Sequence, residues 1–128
     1  MPQAKRKTTA RTKKPRKRVH FFHKPTCMTC RKARAYMERN GFHLSVHDLT
    51  KDRLSAADLE KLIGRRNHAE FLNPRNELYR RKKMRIKPPS KKEAIRLMAK
   101  EPNLIRRPVV VCGGRVVVGF DKNGIARL

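Results

Sequence analysis

Apolar positions fall into short groups whose spacing changes along the chain. In Val19–His23 (VHFFH) they alternate, with Val19, Phe21 and His23 on one face and His20 and Phe22 on the other, so a short strand is predicted. Lys24-Pro25-Thr26 is a loop. From about Met28 to Arg39 the spacing turns helical, with Ala33, Tyr36 and Met37 on one face. Asn40-Gly41 ends this helix, glycine being suited to the left-handed position that follows a helix. Phe42–Val46 alternates again, with Phe42, Leu44 and Val46 inward. Strand, helix and strand in that order predict a right-handed parallel βαβ unit.

Asp48–Leu54 reads as a linker, and Ser55-Ala56-Ala57-Asp58 as a capping box that opens a helix carrying Leu59, Leu62 and Ile63 and closing at Gly64. Asn73-Pro74 predicts the start of another helix, with asparagine as cap and proline in the first position, running through Glu77, Leu78 and Tyr79 to the basic run Arg80–Lys83. Pro88-Pro89 breaks the chain, and Ser90-Lys91-Lys92-Glu93 is a second capping box ahead of Ala94, Leu97 and Met98. Pro108–Cys112 and Arg115–Gly119 are Val-rich runs joined by Gly113-Gly114, which predicts a β-hairpin, and Asp121–Leu128 a short closing helix. The expected class is therefore α/β: a thioredoxin-like fold with a four-stranded mixed sheet, in the order βαβ, helical insert, β-hairpin, C-terminal helix. The domain spans residues 19–128, with the insert at about 54–100.

Charge changes the picture next. The formal net charge is +25, and the stretch Met1–Arg18 holds nine Lys or Arg and no acid. That stretch cannot bury enough apolar surface to offset its ordering entropy and is expected to be a disordered arm. The remaining residues are strongly basic too, so the whole surface should attract nucleic acid, acidic proteins or anionic substrates; the plain alternative is a solvated surface with no fixed partner. Three cysteines do not make a secreted disulfide scaffold. No apolar run reaches the length of a membrane span, and the basic start lacks the apolar stretch of a signal peptide. A cytoplasmic protein is expected.

The candidate chemistry sits in Thr26-Cys27-Met28-Thr29-Cys30-Arg31-Lys32-Ala33-Arg34. A CxxC pair between a strand and a helix N-terminus is where a thiolate is readily stabilised by the positive end of the helix and by cations, here Arg31 and Lys32. Thiol–disulfide exchange, or thiolate attack on an oxidised substrate, follows as the expected chemistry. The competing reading is two inert structural thiols. A zinc reading of His20, His23, Cys27 and Cys30 is disfavoured because the two histidines point to opposite faces of the proposed strand, and no metal is expected. Cys112, in an apolar strand, reads as a buried hydrophobe rather than a third redox thiol. His43, His47 and His68 suggest no partner.

CMTCRKARAYME after a strand, LSAADLEKLI after a linker and EPNLIRRPVVV before a hairpin together resemble the Spx/arsenate reductase (ArsC-like) family of thioredoxin-fold proteins, over about Val19 to Leu128. The resemblance implies that Cys27 is the nucleophile and that arginines hold an oxyanion. Arg107, just before Pro108, and Arg75, in the insert, match the family's arginine positions; Arg31 is a further candidate for the substrate. Pro108 matches the cis-proline beside the active cysteine. Glutaredoxin-coupled arsenate reductases of this fold lack a cysteine at the position of Cys30, whereas Spx-type members have one, use the pair as a disulfide switch and contact RNA polymerase. Two functions are thus expected. One is a thiol–disulfide redox protein, Cys27 being resolved by Cys30, that reduces arsenate or another small oxidised substrate. The other is a redox-switched regulator binding RNA polymerase or nucleic acid. Neither needs a bound cofactor; a thiol reductant such as glutathione, thioredoxin or glutaredoxin would supply electrons.

Overall fold

The computed structural model describes residues 18–128, so the arm expected over Met1–Arg18 lies, all but Arg18, outside the described residues. The elements are β1 (Arg18–His23), α1 (Met28–Arg39), β2 (His43–Asp48), α2 (Ala56–Ile63), α3 (Glu77–Arg81), α4 (Lys91–Lys100), β3 (Val109–Cys112), β4 (Arg115–Val118) and α5 (Lys122–Ala126). Short 3-10 segments cover His68–Phe71 and Pro102–Leu104. The strands form one mixed sheet in the order β2-β1-β3-β4. β1 and β2 run parallel, while β3 is antiparallel to β1 and to β4. This is the thioredoxin-like α/β architecture that the pattern predicts.

Strand alternation divides the core in two. Val19, Phe21, Val110 and Val117 face Ala33 and Met37 of α1 and Ile125 of α5. Val109 and, partly, Phe22, Val111, Val116 and Val118 face the second cluster, built from α2, α4 and the two 3-10 segments. The sheet is therefore a middle layer with helices on both sides, and period-two residues feed both cores. Phe71, Leu59, Ile63, Met98 and Leu104 are fully buried in the second cluster. No described helix is long and apolar enough to cross a membrane.

Helix ends follow local chemistry. Gly41 takes φ +88° after the Asn40 cap of α1, a backbone that costs glycine little. The Ser55 hydroxyl accepts from Asp58 N–H (3.1 Å) and the Asp58 carboxylate accepts from Ser55 N–H (3.0 Å), a complete capping box.

Three expectations are corrected. β2 begins at His43 rather than Phe42 and runs on to Asp48, because β1 offers parallel partners as far as His23↔Asp48. Phe42 N–H instead donates to Met37 O (3.1 Å), closing α1. The helix expected from Asn73-Pro74 starts three residues later. Asn76 is its cap, accepting from Leu78 and Tyr79 N–H, while Asn73 turns its own side chain to Arg75 N–H (3.0 Å) and to Asn103 O (3.2 Å). At Ser90 only half the capping box forms, since the Glu93 carboxylate is taken by Arg96 at 2.7–2.8 Å.

Candidate active site around Cys27 and Arg107

The β1–α1 loop delivers Cys27 to the N-cap of α1. Cys27 N–H donates to Lys24 O (2.9 Å), which closes the loop, and the Cys27 backbone is extended (φ −83°, ψ 119°). Its sulfur accepts from Cys30 N–H at 3.4 Å, so the thiol occupies the place usually held by a capping oxygen. Cys27 is half-buried; Cys30, one turn into the helix, is fully buried. All three cysteines are free thiols.

The two sulfurs titrate apart. Burial alone would raise Cys27, but hydrogen bonds from the Cys30 thiol and N–H, and then the Arg107 guanidinium, outweigh it and bring the thiol below its ordinary 9.0. For Cys30 burial dominates, and the neighbouring Cys27 adds to it, pushing the thiol up to about 12. The pair is thus divided between a Cys27 that gives up its proton more readily than an ordinary thiol and a Cys30 that keeps its own.

Arg107 comes from the opposite side of the site, on the turn that enters β3, across a cis peptide bond to Pro108. Its Nη1 reaches Asn103 O (3.5 Å), and its buried Nε has no partner among the described residues. The Arg107 guanidinium therefore keeps one buried donor unused while it acts on the Cys27 sulfur. Asn103 ties the surroundings together. Its carbonyl accepts from Asn73 Nδ2 (3.2 Å) as well as from Arg107, and its side-chain oxygen accepts from Lys24 Nζ (3.2 Å). Lys24 and Asn103 are residues that sequence reasoning missed; the Pro102-Asn103 turn just before the Arg-Arg-Pro string was the only signal for the second.

The other candidates are placed differently. Arg31 is exposed, and its Nε donates to Pro25 O (3.1 Å), bracing the loop. Arg75 is exposed in the Asn73–Asn76 turn; its side chain makes no hydrogen bond or ion pair among the described residues. The turn itself is tied to Asn103, which brings the insert to the edge of the site. Cys112 is half-buried rather than buried, packed against the α1 side of the sheet.

The histidines separate as the strand register predicts. His23 is buried on the α1 face, while His20 is exposed on the other. Burial, then Arg34, lowers the His23 pKa against the opposing pull of Asp48. His20 Nδ1 lies 3.0 Å from His47 Nε2, and His47 Nδ1 lies 3.0 Å from Asp52 Oδ2, a polar chain across β1 and β2. His68 Nε2 meets Pro89 O at 2.7 Å. Among the described residues no three His, Cys, Asp or Glu side chains gather as a metal site.

This geometry sits within a known likeness. The model of the ArsC family matches residues 22–128. A global transcriptional regulator Spx from Streptococcus mutans is 28% identical over 109 residues, covering 84% of this chain and 80% of that relative. An arsenate reductase from Vibrio cholerae has a similar structure, with a TM-score of 0.76 at 26% identity, over 88% of this chain and 99% of that one. An arsenate reductase (ArsC) related protein from Brucella melitensis gives 0.68 at 26% identity, over 85% and 92%. With the family model covering nearly all of the described residues, and Cys27, Arg107 and the cis-proline in one site, the chain belongs to the ArsC family.

Proposed function

We propose that this protein is a thiol–disulfide redox protein in which Cys27 attacks a small oxidised substrate and Cys30 resolves the product. The observation that carries this is the division of labour between the two sulfurs: Cys27 accessible and pushed down, Cys30 buried and pushed up to about 12. A nucleophile needs the thiolate, and a resolving thiol should stay protonated until the first bond has formed. With a disulfide substrate, the Cys27 thiolate forms a mixed disulfide and expels one thiolate. Cys30 then loses its proton, attacks the Cys27 sulfur and expels the second. With arsenate, the same two steps give a Cys27–arsenic bond with loss of water, then arsenite and the Cys27–Cys30 disulfide. Glutathione or a thioredoxin-type protein would return both sulfurs to thiols. Arg107 favours the Cys27 thiolate, and its guanidinium is the group beside that sulfur suited to an anionic substrate.

The test combines alkylation and turnover. Alkylation of reduced protein by iodoacetamide, followed site by site by mass spectrometry, should show Cys27 reacting with a midpoint below 9.0. Arg107→Ala should move that midpoint upward and weaken oxyanion binding. Diamide should yield one reversible Cys27–Cys30 disulfide. Arsenate and disulfide substrates are then assayed with glutathione and with thioredoxin. An ordinary Cys27 and no disulfide would refute the proposal.

A second reading is supported by the Spx relatives and by the presence of Cys30: the same disulfide is a switch in a regulator that binds RNA polymerase or nucleic acid. Here the Met1–Arg18 arm would add phosphate affinity. Redox-dependent binding with negligible turnover would favour the switch; turnover indifferent to deletion of the arm would favour the enzyme.

A further inference from the structure

The free edge of β4 borders an open cleft of about 630 Å³, none of whose lining residues belongs to the Cys27–Arg107 site. Its rim carries Arg66, Arg106, Arg115 and Arg127 against Glu70 and Asp121. Among the described residues β4 is the last strand of the sheet, and one of its edges is unpaired. Two hydrogen bonds show which groups face outward. Gly119 N–H turns back to Pro108 O (2.8 Å), whereas the Val116 carbonyl turns away from β3 to accept from Arg66. On an antiparallel strand the N–H and C=O of one residue point to the same side and alternate along the chain. The main-chain groups of Val116 and Val118 therefore face the cleft.

The rim charges are not balanced. Glu70 is paired with Arg66 (2.9 Å), and the Asp121 carboxylate accepts from Gly124 N–H (3.1 Å) at the start of α5. Arg115 is oriented by the Arg127 carbonyl (2.5 Å). Arg106 lies across Gly119, where a Cβ would sit 3.0 Å from its Nε and push the guanidinium aside. Arg106 is exposed; its N–H donates to Phe71 O (2.8 Å), while its side chain forms no hydrogen bond or ion pair among the described residues. The cleft thus offers an open strand edge, three valines and an excess of positive charge.

Charge complementarity selects the occupant. A second copy joined edge to edge would set arginine against arginine. The chain's own Met1–Arg18 stretch carries nine cations and no acid, so it is repelled as well. Nucleic acid would satisfy the arginines and leave the alternating N–H and C=O groups unused. An extended acidic peptide uses all three features. We propose that the β4 edge is a docking site for an extended acidic segment of a partner protein, which pairs with Val116 and Val118 as a fifth strand and sets its carboxylates against Arg106 and Arg115. Arg66 already donates to the Val116 carbonyl, which keeps a second lone pair for the incoming strand.

The test uses the reduced, full-length, isotope-labelled protein and the peptide acetyl-Glu-Val-Glu-Val-Glu-amide. NMR should show shifts and slowed hydrogen exchange at the Val116 and Val118 amides, with the β3-facing amides unchanged. The same peptide N-methylated at alternate residues, in either phase, keeps its charge and loses its strand donors; it should bind at least about tenfold more weakly in one phase. Charge reversal by Arg115→Glu or Arg106→Glu should weaken the unmodified peptide by about fivefold or more. No protection at Val116 and Val118 would overturn the proposal. So would equal binding of both N-methylated peptides, which means charge attraction alone. An oligonucleotide that protects these amides in place of the peptide, or peptide-free dimerisation through them, would overturn it in favour of those occupants.

Discussion

Cys27 and Cys30 are the same chemical group; burial pushes Cys30 up, while hydrogen bonds from Cys30 and the Arg107 guanidinium outweigh burial at Cys27 and bring it down. The raised Cys30 has a consequence for stability that can be signed. The unfolded thiol ionises near 9.0 while the folded one holds its proton to about 12, so the folded state binds more protons in that window. Stability from this residue is complete below pH 9.0 and falls as pH rises towards 12. Urea unfolding of the reduced protein should show that alkaline loss, and Cys30→Ala should remove it. His23 behaves in the opposite sense. Its lowered pKa keeps the folded imidazole neutral while the unfolded one protonates below 6.5. Its contribution is therefore present above pH 6.5 and lost on acidification, and His23→Phe should flatten the acid limb of the same curve. The cysteines were legible in the sequence because CxxC fell where alternating spacing gave way to helical spacing. Arg107 was legible only through the Arg-Arg-Pro string. Lys24 and Asn103 were not: their 3.2 Å contact joins residues 79 positions apart, and no local pattern encodes it.

Elements were read best where their ends carry chemistry of their own. Ser55 and Asp58 satisfy each other's backbone donors, and the box located α2 to the residue. Ser55→Ala should cost about 1 kcal/mol in chemical denaturation. Around Asn73 the pattern misled, because two asparagines three apart are equally good caps on paper. The long-range bonds of Asn73, to Asn103 O and from its own N–H to Leu104 O (2.8 Å), committed it to the turn and left Asn76 to cap α3. Asn76→Ala should therefore loosen α3, whereas Asn73→Ala should release the insert from the Cys27 site and alter its reactivity. The 3-10 segment His68–Phe71 was invisible to periodicity, being too short, yet it places fully buried Phe71 in the centre of the larger core. Phe71→Ala should destabilise the fold by about 3–5 kcal/mol, the usual range for a large buried aromatic.

At the scale of the whole molecule, a formal charge of +25 on 128 residues governs encounters more than structure. Polyanion binding should be strongly salt-dependent: affinity for a short oligonucleotide should fall at least about tenfold between 50 and 200 mM salt. The reaction of Cys27 with a neutral alkylating reagent should barely move over the same range, because the cation that acts on it, Arg107, does so through a hydrogen bond rather than from across the surface. Salt therefore separates the two activities in one preparation. The burial of Cys30 adds a different kind of handle. Its sulfur has no exposed surface while α1 is wound, so a reagent from solution reaches it only after the first turn opens. With Cys27 and Cys112 replaced by serine, the labelling rate of Cys30 becomes a clock for that opening, reporting how often the start of the helix breathes without any unfolding experiment at all.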